Sequence, residues 1–365
     1  MTQGDYLFNR VGICDLDGDG TFDYVIKQPG AGHGLDPGTI RPSTDTFKLE
    51  AYNGQSGAFM WRYDLGWNMN MGVWWTPFVT GDFDGDGKAE VALKMAPYAA
   101  TKADATIADG GFVLEGPEYI TVLDGMTGKE MARADWVERG DPARWGDTRG
   151  NRVNRNQIGV AKLDGKRLSI LVARGTYTMM YLDAWNLVDG KLVKAWRWFG
   201  DDSTPKVRGQ GAHGMHVFDF DGDGKEEVAL GSVVVDDNGQ TLWSNGLGHP
   251  DVFYVADIII FSYRGDTTVL QKYRTPAPVD TLDGRIVAIA DVLGDWREEL
   301  ILTKSGELRI ATTTVPSTSR HVTLMQDPLY RRDVAHASMG YFYPPNTSTP
   351  LFPESFKERP PDDVP

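Results

Sequence analysis

Three nine-residue segments repeat one alternation of carboxylates. They are Asp15-Leu-Asp17-Gly-Asp19-Gly-Thr-Phe-Asp23, Asp82-Phe-Asp84-Gly-Asp86-Gly-Lys-Ala-Glu90 and Asp219-Phe-Asp221-Gly-Asp223-Gly-Lys-Glu-Glu227. Acids fall at positions 1, 3, 5 and 9 of each. A hard cation such as Ca²⁺ takes six to eight oxygen ligands, and alternating Asp on a tight turn supplies them. The interleaved glycines permit the positive φ angles such a turn needs. A helix-flanked EF-hand requires a bidentate Glu at position 12; here that position is Ile26, Leu93 or Leu230. Each loop runs instead into a short apolar strand. A fourth, degenerate copy keeps Asp291, Asp295 and Glu299 and has Leu293 at position 3.

Other constellations lie outside the loops. Gln210-Gly-Ala-His213-Gly-Met-His216 precedes the third loop, and Gly246-Leu-Gly-His249-Pro-Asp251 opens the next repeat. Inner strands of adjacent repeats bring His213, His249 and Asp251 together, and a mixed imidazole–carboxylate set suits a functional metal. Arg139, Arg144, Arg149, Arg152 and Arg155 crowd residues 139–155 against only Asp141 and Asp147. That is a local basic patch on an acidic chain, fit for an anion.

The elements that position these groups are short strands. The full loops start at 15, 82 and 219, spacings of 67 and 137 residues, the second about two units of the first. Inside the long gap, Ile158–Val172 has the same strand–turn–strand form without the acids. A second hairpin follows each unit, for example at 48–62, 119–133 and 181–196. Two hairpins per unit make a four-stranded blade, and stacked blades make a β-propeller. The fold class is therefore all-β, a β-propeller with calcium-binding loops and about six blades: 11–64, 75–137, 156–198, 214–245, 252–275 and 285–326. The fifth is abnormal, since Ile258 onward already reads as a later strand and the unit is compressed at 257–258. One domain, 1–350, precedes a Pro-rich charged tail, 351–365.

The chain has 365 residues, a net charge of −14 and 51 Asp and Glu, twelve of them in the three loops. Three divalent cations change −14 to −8, so much of the acidity belongs to the loops. The balance excludes a general nucleic-acid surface. No membrane-spanning run and no signal peptide is visible. The lone Cys14 cannot make an internal disulfide and reads as a buried thiol.

The segments Val11-Gly-Ile-Cys-Asp-Leu-Asp-Gly-Asp-Gly, Gly116-Pro-Glu-Tyr, Asn151-Arg-Val-Asn-Arg155, Gly209-Gln-Gly-Ala-His213, Gly246-Leu-Gly-His249-Pro-Asp251, Gly294-Asp-Trp-Arg-Glu-Glu299, Thr312-Thr-Thr-Val-Pro316 and Met325-Gln-Asp-Pro-Leu-Tyr-Arg331 follow one another in a familiar order. Over nearly its whole length the chain resembles the rhamnogalacturonan lyases of polysaccharide lyase family 11. The resemblance implies an eight-bladed, calcium-loaded propeller that cleaves rhamnogalacturonan I between rhamnose and galacturonate by β-elimination. It implies an active-centre metal at His213, His249 and Asp251, beyond the three strong calcium loops and the degenerate one. It matches Asn68 and Tyr341 to substrate-contacting positions. Arg152 and Arg155 are the candidates for the uronate carboxylate, and His216 or Lys94 for the base. The family carries a further segment between the equivalents of Asp257 and Ile258, enough for about two blades. The expected partner is an acidic plant or algal cell-wall polysaccharide, met by a monomer outside the cytoplasm. Alternatives from other classes are a non-catalytic carbohydrate-binding propeller, a lyase on another rhamnose- and uronate-containing polysaccharide such as ulvan, and an interaction propeller resembling integrins.

Overall fold

The computed structural model describes residues 10–21, 23–28, 46–69, 75–106, 112–204, 206–211, 214–244, 246, 251–255, 258–262, 267–272, 278–295, 297–304, 307–314, 316 and 322–324. Among them are 23 strands and two short 3₁₀ turns, Lys102–Asp104 and Pro142–Trp145, with no α-helix. The strands form six antiparallel sheets, each a simple meander in chain order. The first sheet holds β1 (Arg10–Cys14), β2 (Asp23–Gln28), β3 (Lys48–Tyr52) and β4 (Phe59–Asp64). The second holds β5 (Phe78–Gly81), β6 (Glu90–Met95), β7 (Tyr119–Leu123) and β8 (Glu130–Asp135). The third holds β9 (Asn156–Ala161), β10 (Ser169–Arg174), β11 (Met180–Val188) and β12 (Lys191–Gly200). The fourth holds β13 (Met215–Phe218), β14 (Glu227–Leu230), β15 (Val233–Val235) and β16 (Thr241–Ser244). The fifth holds β17 (Asp251–Val255), β18 (Ile258–Ser262), β19 (Thr267–Lys272) and β20 (Pro278–Asp283). The sixth holds β21 (Arg285–Ala290), β22 (Glu299–Lys304) and β23 (Glu307–Ala311).

These sheets fall on the six units read from the loop spacing, with differences in the last two; the described sixth sheet has three strands and ends at Ala311 rather than 326. The fifth runs to Asp283 rather than 275, because β20 is a polar, exposed strand opened by Pro278 and carries no apolar alternation. The strands on either side of 257–258 pair directly, Val255 opposite Ile258 and Asp251 opposite Ser262. Sequence flanking the expected contraction thus completes one sheet.

Period-two alternation decides how the sheets stack. Along β6, Val91, Leu93 and Met95 pack with Val25 and Leu49 of the first sheet. Ala92 points the other way, with Ile120 and Val122, onto Ile170, Val172 and Trp185 of the third. Along β10, Leu171 and Ala173 turn to Val228, Leu230, Val233 and Val235 of the fourth. Middle strands are therefore buried on both faces, as every residue of β3, β6, β10 and β14 is. First strands neighbour one another in series, β1 with β5, β5 with β9 and β9 with β13.

A tryptophan latch repeats across these interfaces. Trp61 of β4 donates its Nε1–H to Gly125 O of the next sheet at 2.7 Å, and Trp196 of β12 donates to Asp237 O at 2.6 Å. The receiving turns need glycine: a Cβ on Gly128 would lie 2.6 Å from the Trp61 ring, and one on Gly239 2.7 Å from Trp196. The substitution W61F keeps the packing and removes the donor from a buried site. It should lower unfolding free energy by about 1–3 kcal/mol, read from the urea midpoint.

Candidate functional site

Turns leave the sheets at two opposite ends, and the ends differ chemically. At one end lie the acidic loops between first and second strands. Their local rule is the same each time. The Asp at position 1 accepts the amide of position 4: Gly18 at 2.8 Å, Gly85 at 2.7 Å and Gly222 at 2.7 Å. Its other oxygen accepts the amide of position 6: Gly20 at 2.8 Å, Gly87 at 3.1 Å and Gly224 at 3.0 Å. The acid at position 9 returns to the amide of position 2: Asp23 to Leu16 at 3.0 Å, Glu90 to Phe83 at 2.8 Å and Glu227 to Phe220 at 2.6 Å. Gly87 and Gly224 have φ of +89° and +88°, and a Cβ there would meet nothing within 4 Å. Conformation, not space, fixes glycine at position 6. The loops also join one another, since Ala89 N donates to Asp15 O at 2.8 Å. Glu226 N donates likewise to Lys162 O at 3.2 Å, in the acid-poor turn that holds the equivalent place in the third sheet.

What remains of the carboxylates converges. Ligand oxygens of Asp15, Asp17 and Asp19, of Asp82, Asp84 and Asp86, and of Asp219, Asp221 and Glu227 each lie within 4.8 Å of one another. Glu227 is fully buried, and its Oε1 has no hydrogen-bond partner. Burial, with Asp84, Asp82 and Asp86 adding to it, pushes the Glu90 carboxyl up to about 7. Burial and Asp221, Asp219 and Asp223 push Glu227 up to about 8. Packed like charges with an orphaned buried oxygen fit a divalent cation. Asp23 differs from Glu227 in having both oxygens used, the second by Gly54 N at 2.8 Å and Asn53 Nδ2 at 3.2 Å. Asp223 lies 3.4 Å from Lys225 Nζ. The spacing of the third loop did not foretell Asp236 and Asp237, which come from the β15–β16 turn to within 4.8 Å of Glu227.

The fourth loop solves the same problem internally. Asp291 accepts Gly294 N at 2.7 Å and Glu299 accepts Val292 N at 3.0 Å, so the turn is kept. Asp295 is instead held by Arg297, through Nε at 2.9 Å and a second contact from Nη2. The second oxygen of Asp291 accepts Leu324 N at 2.7 Å. A guanidinium stands where the other loops gather carboxylates.

At the opposite end the charge is reversed. Glu118, just before β7, receives Lys94 Nζ at 2.5 Å and Arg139 Nη2 at 2.8 Å, with Arg174 Nη2 on the same oxygen as Arg139. All four side chains are buried. Burial alone would raise the Glu118 carboxyl, but Arg174, Lys94 and Arg139 hold it down at about 2. Burial pulls Lys94 down to about 8 against the attraction of Glu118. Three cations on one carboxylate leave an excess of positive charge, and the 139–155 connection adds to it. Arg152 donates to Thr178 Oγ1 at 2.7 Å and lies over the Tyr177 ring at 5.5 Å. Arg155 donates to Asn151 Oδ1 at 3.3 Å and stacks on Trp75 at 4.9 Å.

The remaining candidates fall as follows. Asn68 is buried, donating to Pro97 O at 2.9 Å and accepting Thr106 N at 2.6 Å. His216 is half-buried on β13, a first strand, and burial pushes its imidazole down to about 4. Cys14 is buried, which pushes its thiol up to about 11. Asp251 opens β17 in backbone position only, and His213, His249, Tyr341 and the 351–365 tail lie outside the described residues.

An all-β stack with cation-fitting turns at one end and a guanidinium-rich opposite end is a repeat scaffold suited to an acidic ligand. Comparison with known proteins narrows this. The model of rhamnogalacturonan lyase family 11, C-terminal domain, matches residues 2–272 and 266–359, and the chain belongs to that family. It is 31% identical to the rhamnogalacturonan endolyase YesW of Bacillus subtilis strain 168, over 94% of this chain and 73% of that one. The alignment spans 462 residues, more than this chain has, so YesW carries segments absent here. Identity to the rhamnogalacturonan exolyase YesX of the same organism is 38% over 69% of this chain and 42% of that protein. The crystal structure of YesW superposes with a TM-score of 0.70 at 28% identity, covering 94% of this chain and 79% of that one. The Bacillus licheniformis rhamnogalacturonan lyase PL11 gives 0.68 at 30%, covering 93% and 77%.

Removing the shared carboxylate by E118Q leaves three buried cations against a neutral amide. It should cost about 3–5 kcal/mol of stability at neutral pH, measured by urea unfolding. The sign with pH follows from a depressed folded-state pKa. The difference between wild type and E118Q is present above the ordinary Glu value of about 4.3 and is lost as pH falls through about 2.

Proposed function

We propose that this protein is a lyase that cleaves rhamnogalacturonan I between rhamnose and galacturonate by β-elimination, on a β-propeller whose blades are the six described sheets. The observation that carries this reading is the similarity to a rhamnogalacturonan endolyase across 94% of the chain. The basic end supports it, because a uronate polymer is an anion and the connection there carries Arg152, over Tyr177, and Arg155, over Trp75. The substrate is an acidic cell-wall polysaccharide, encountered by a monomer outside the cytoplasm.

β-Elimination removes the proton α to the uronate carboxylate and expels the 4-linked oxygen. A calcium ion at the active centre would supply Lewis-acid stabilisation of the charge that develops on that carboxylate. His213, His249 and Asp251 are the residues that would hold it. Arg152 and Arg155 bind and orient the uronate by charge-assisted hydrogen bonds. His216, pushed down to about 4 by burial, is neutral at neutral pH and has one ring nitrogen able to accept a proton, as a weak base. Lys94 is enclosed with Glu118, and its role in this reading is to hold the buried charge cluster. Asn68 fixes the segment around Trp67 to residues 97–106. Tyr341 is retained as a substrate contact.

The three full acidic loops bind structural calcium in this reading, through Asp15, Asp17 and Asp19, through Asp82, Asp84, Asp86 and Glu90, and through Asp219, Asp221, Asp223 and Glu227. Asp23 closes its loop. The fourth loop, with Asp291, Asp295 and Glu299, takes Arg297 as its cation. One observation favours a second reading, a carbohydrate-binding relative without turnover: the aligned endolyase carries segments that this chain lacks.

The test is incubation with rhamnogalacturonan I, following ultraviolet absorbance of the unsaturated uronate product. Calcium-dependent product supports the lyase; retained binding with no product selects the second reading. For the loops, native mass spectrometry should lose one calcium in D84N and one in D221N. It should lose none in D295N, which breaks an Arg297 pair instead.

A further inference from the structure

One side chain at the basic end has a backbone that its own chemistry does not favour. Tyr177 has φ +61°, in the left-handed region that an aromatic residue seldom occupies. The other non-glycine case among the described residues, Asp189 at +50°, belongs to the two-residue Asp189-Gly190 hairpin turn between Val188 and Lys191, where such angles are expected. Tyr177 instead sits at the centre of a three-residue turn closed by Thr178 N donating to Thr176 O at 2.7 Å, a type that is rare and strained when its central φ is positive.

Its surroundings hold it in place from both sides. Gly175 N donates to Arg155 O at 2.6 Å, Thr178 N donates to Thr176 O at 2.7 Å, and Gly209 N donates to Thr178 O at 2.9 Å. A Cβ on Gly175 would lie 2.4 Å from both Met179 O and the Trp145 ring. The product of this constraint is a half-buried ring set against Arg152. Arg152 is steadied further by Thr178, the residue after Tyr177. Gly146 leaves the room: a Cβ there would lie 2.3 Å from Arg152 Nη1 and 2.6 Å from Thr178 Oγ1. Among the described residues no carboxylate pairs with the Arg152 guanidinium, whereas Arg139 and Arg174 at the same end share Glu118. Strain that the surrounding structure over-determines collects at functional sites.

We propose that Tyr177 is a positioning residue of a uronate subsite: its strained backbone holds the ring under Arg152, which presents the guanidinium to a sugar carboxylate. The site takes an acidic sugar unit, and the claim rests on the lyase reading above for the polymer from which that unit comes. A planar guanidinium braced on a ring and on one hydroxyl keeps part of its donor fork for a bidentate carboxylate.

The measurement compares wild type, Y177G, Y177F and R152Q with rhamnogalacturonan I as substrate and trigalacturonate as the binding probe. Glycine relieves the left-handed strain and removes the ring, so Y177G should melt at the same or a higher temperature while KM rises about tenfold with kcat within about twofold. Y177F keeps the ring and should recover most of the affinity. Y177G combined with R152Q should bind trigalacturonate no more weakly than R152Q alone, because the two act as a unit. A Y177G protein that melts lower and keeps its KM overturns the inference, since Tyr177 is then structural only. If wild type binds trigalacturonate in a Tyr177-dependent way but makes no product, the lyase reading fails and the subsite stands. If wild type cleaves while Y177G changes neither KM nor trigalacturonate binding, the subsite fails alone. If wild type does neither, both fall.

Discussion

Burial of both faces of the middle strands is the constraint on which the rest of this structure depends. A strand such as β6 divides its side chains between two neighbouring sheets, Val91, Leu93 and Met95 to one and Ala92 to the other. No single sheet can satisfy that division, so sheets must stack in series. Stacking then collects every turn at one of two ends. The chemistry of the protein is a consequence: functional groups sit on turns, and turns have only two places to go.

The two ends carry opposite charge for different reasons. At the acidic end, carboxylates first do backbone work, accepting the amides that shape each loop. Only their unused oxygens face one another, in groups that could hold a cation. Arg297 shows how little separates the two solutions: with Leu293 in place of one Asp, the chain's own guanidinium meets Asp295. At the basic end, Glu118 neutralises one of three buried cations, and the neighbouring connection presents Arg152 and Arg155. A protein of net charge −14 thus carries a local concentration of positive charge.

The loops and the sheet count were legible because their signals are local. Nine consecutive residues specify a turn, and the distance to the next copy measures a unit. The third sheet was legible without its acids, because Ile158–Val172 keeps the apolar alternation and the turn. The end of the fifth sheet was not: β20 is exposed and polar, held by pairing with β19 rather than by burial. Asp236 and Asp237 escaped notice because they approach Glu227 from a different hairpin.

By itself the sequence determined the all-β class, the repeat and the candidate cation loops, since each depends on residues within about ten positions of one another. It also carried the family, through short motifs in a fixed order. Only the tertiary structure decided which groups meet across the stack. Glu118 collects Lys94 and Arg174 from two strand ends and Arg139 from a connection, and Tyr177 braces Arg152 from the next turn. No spacing along the chain encodes those encounters, because they arise from how neighbouring sheets share their buried faces.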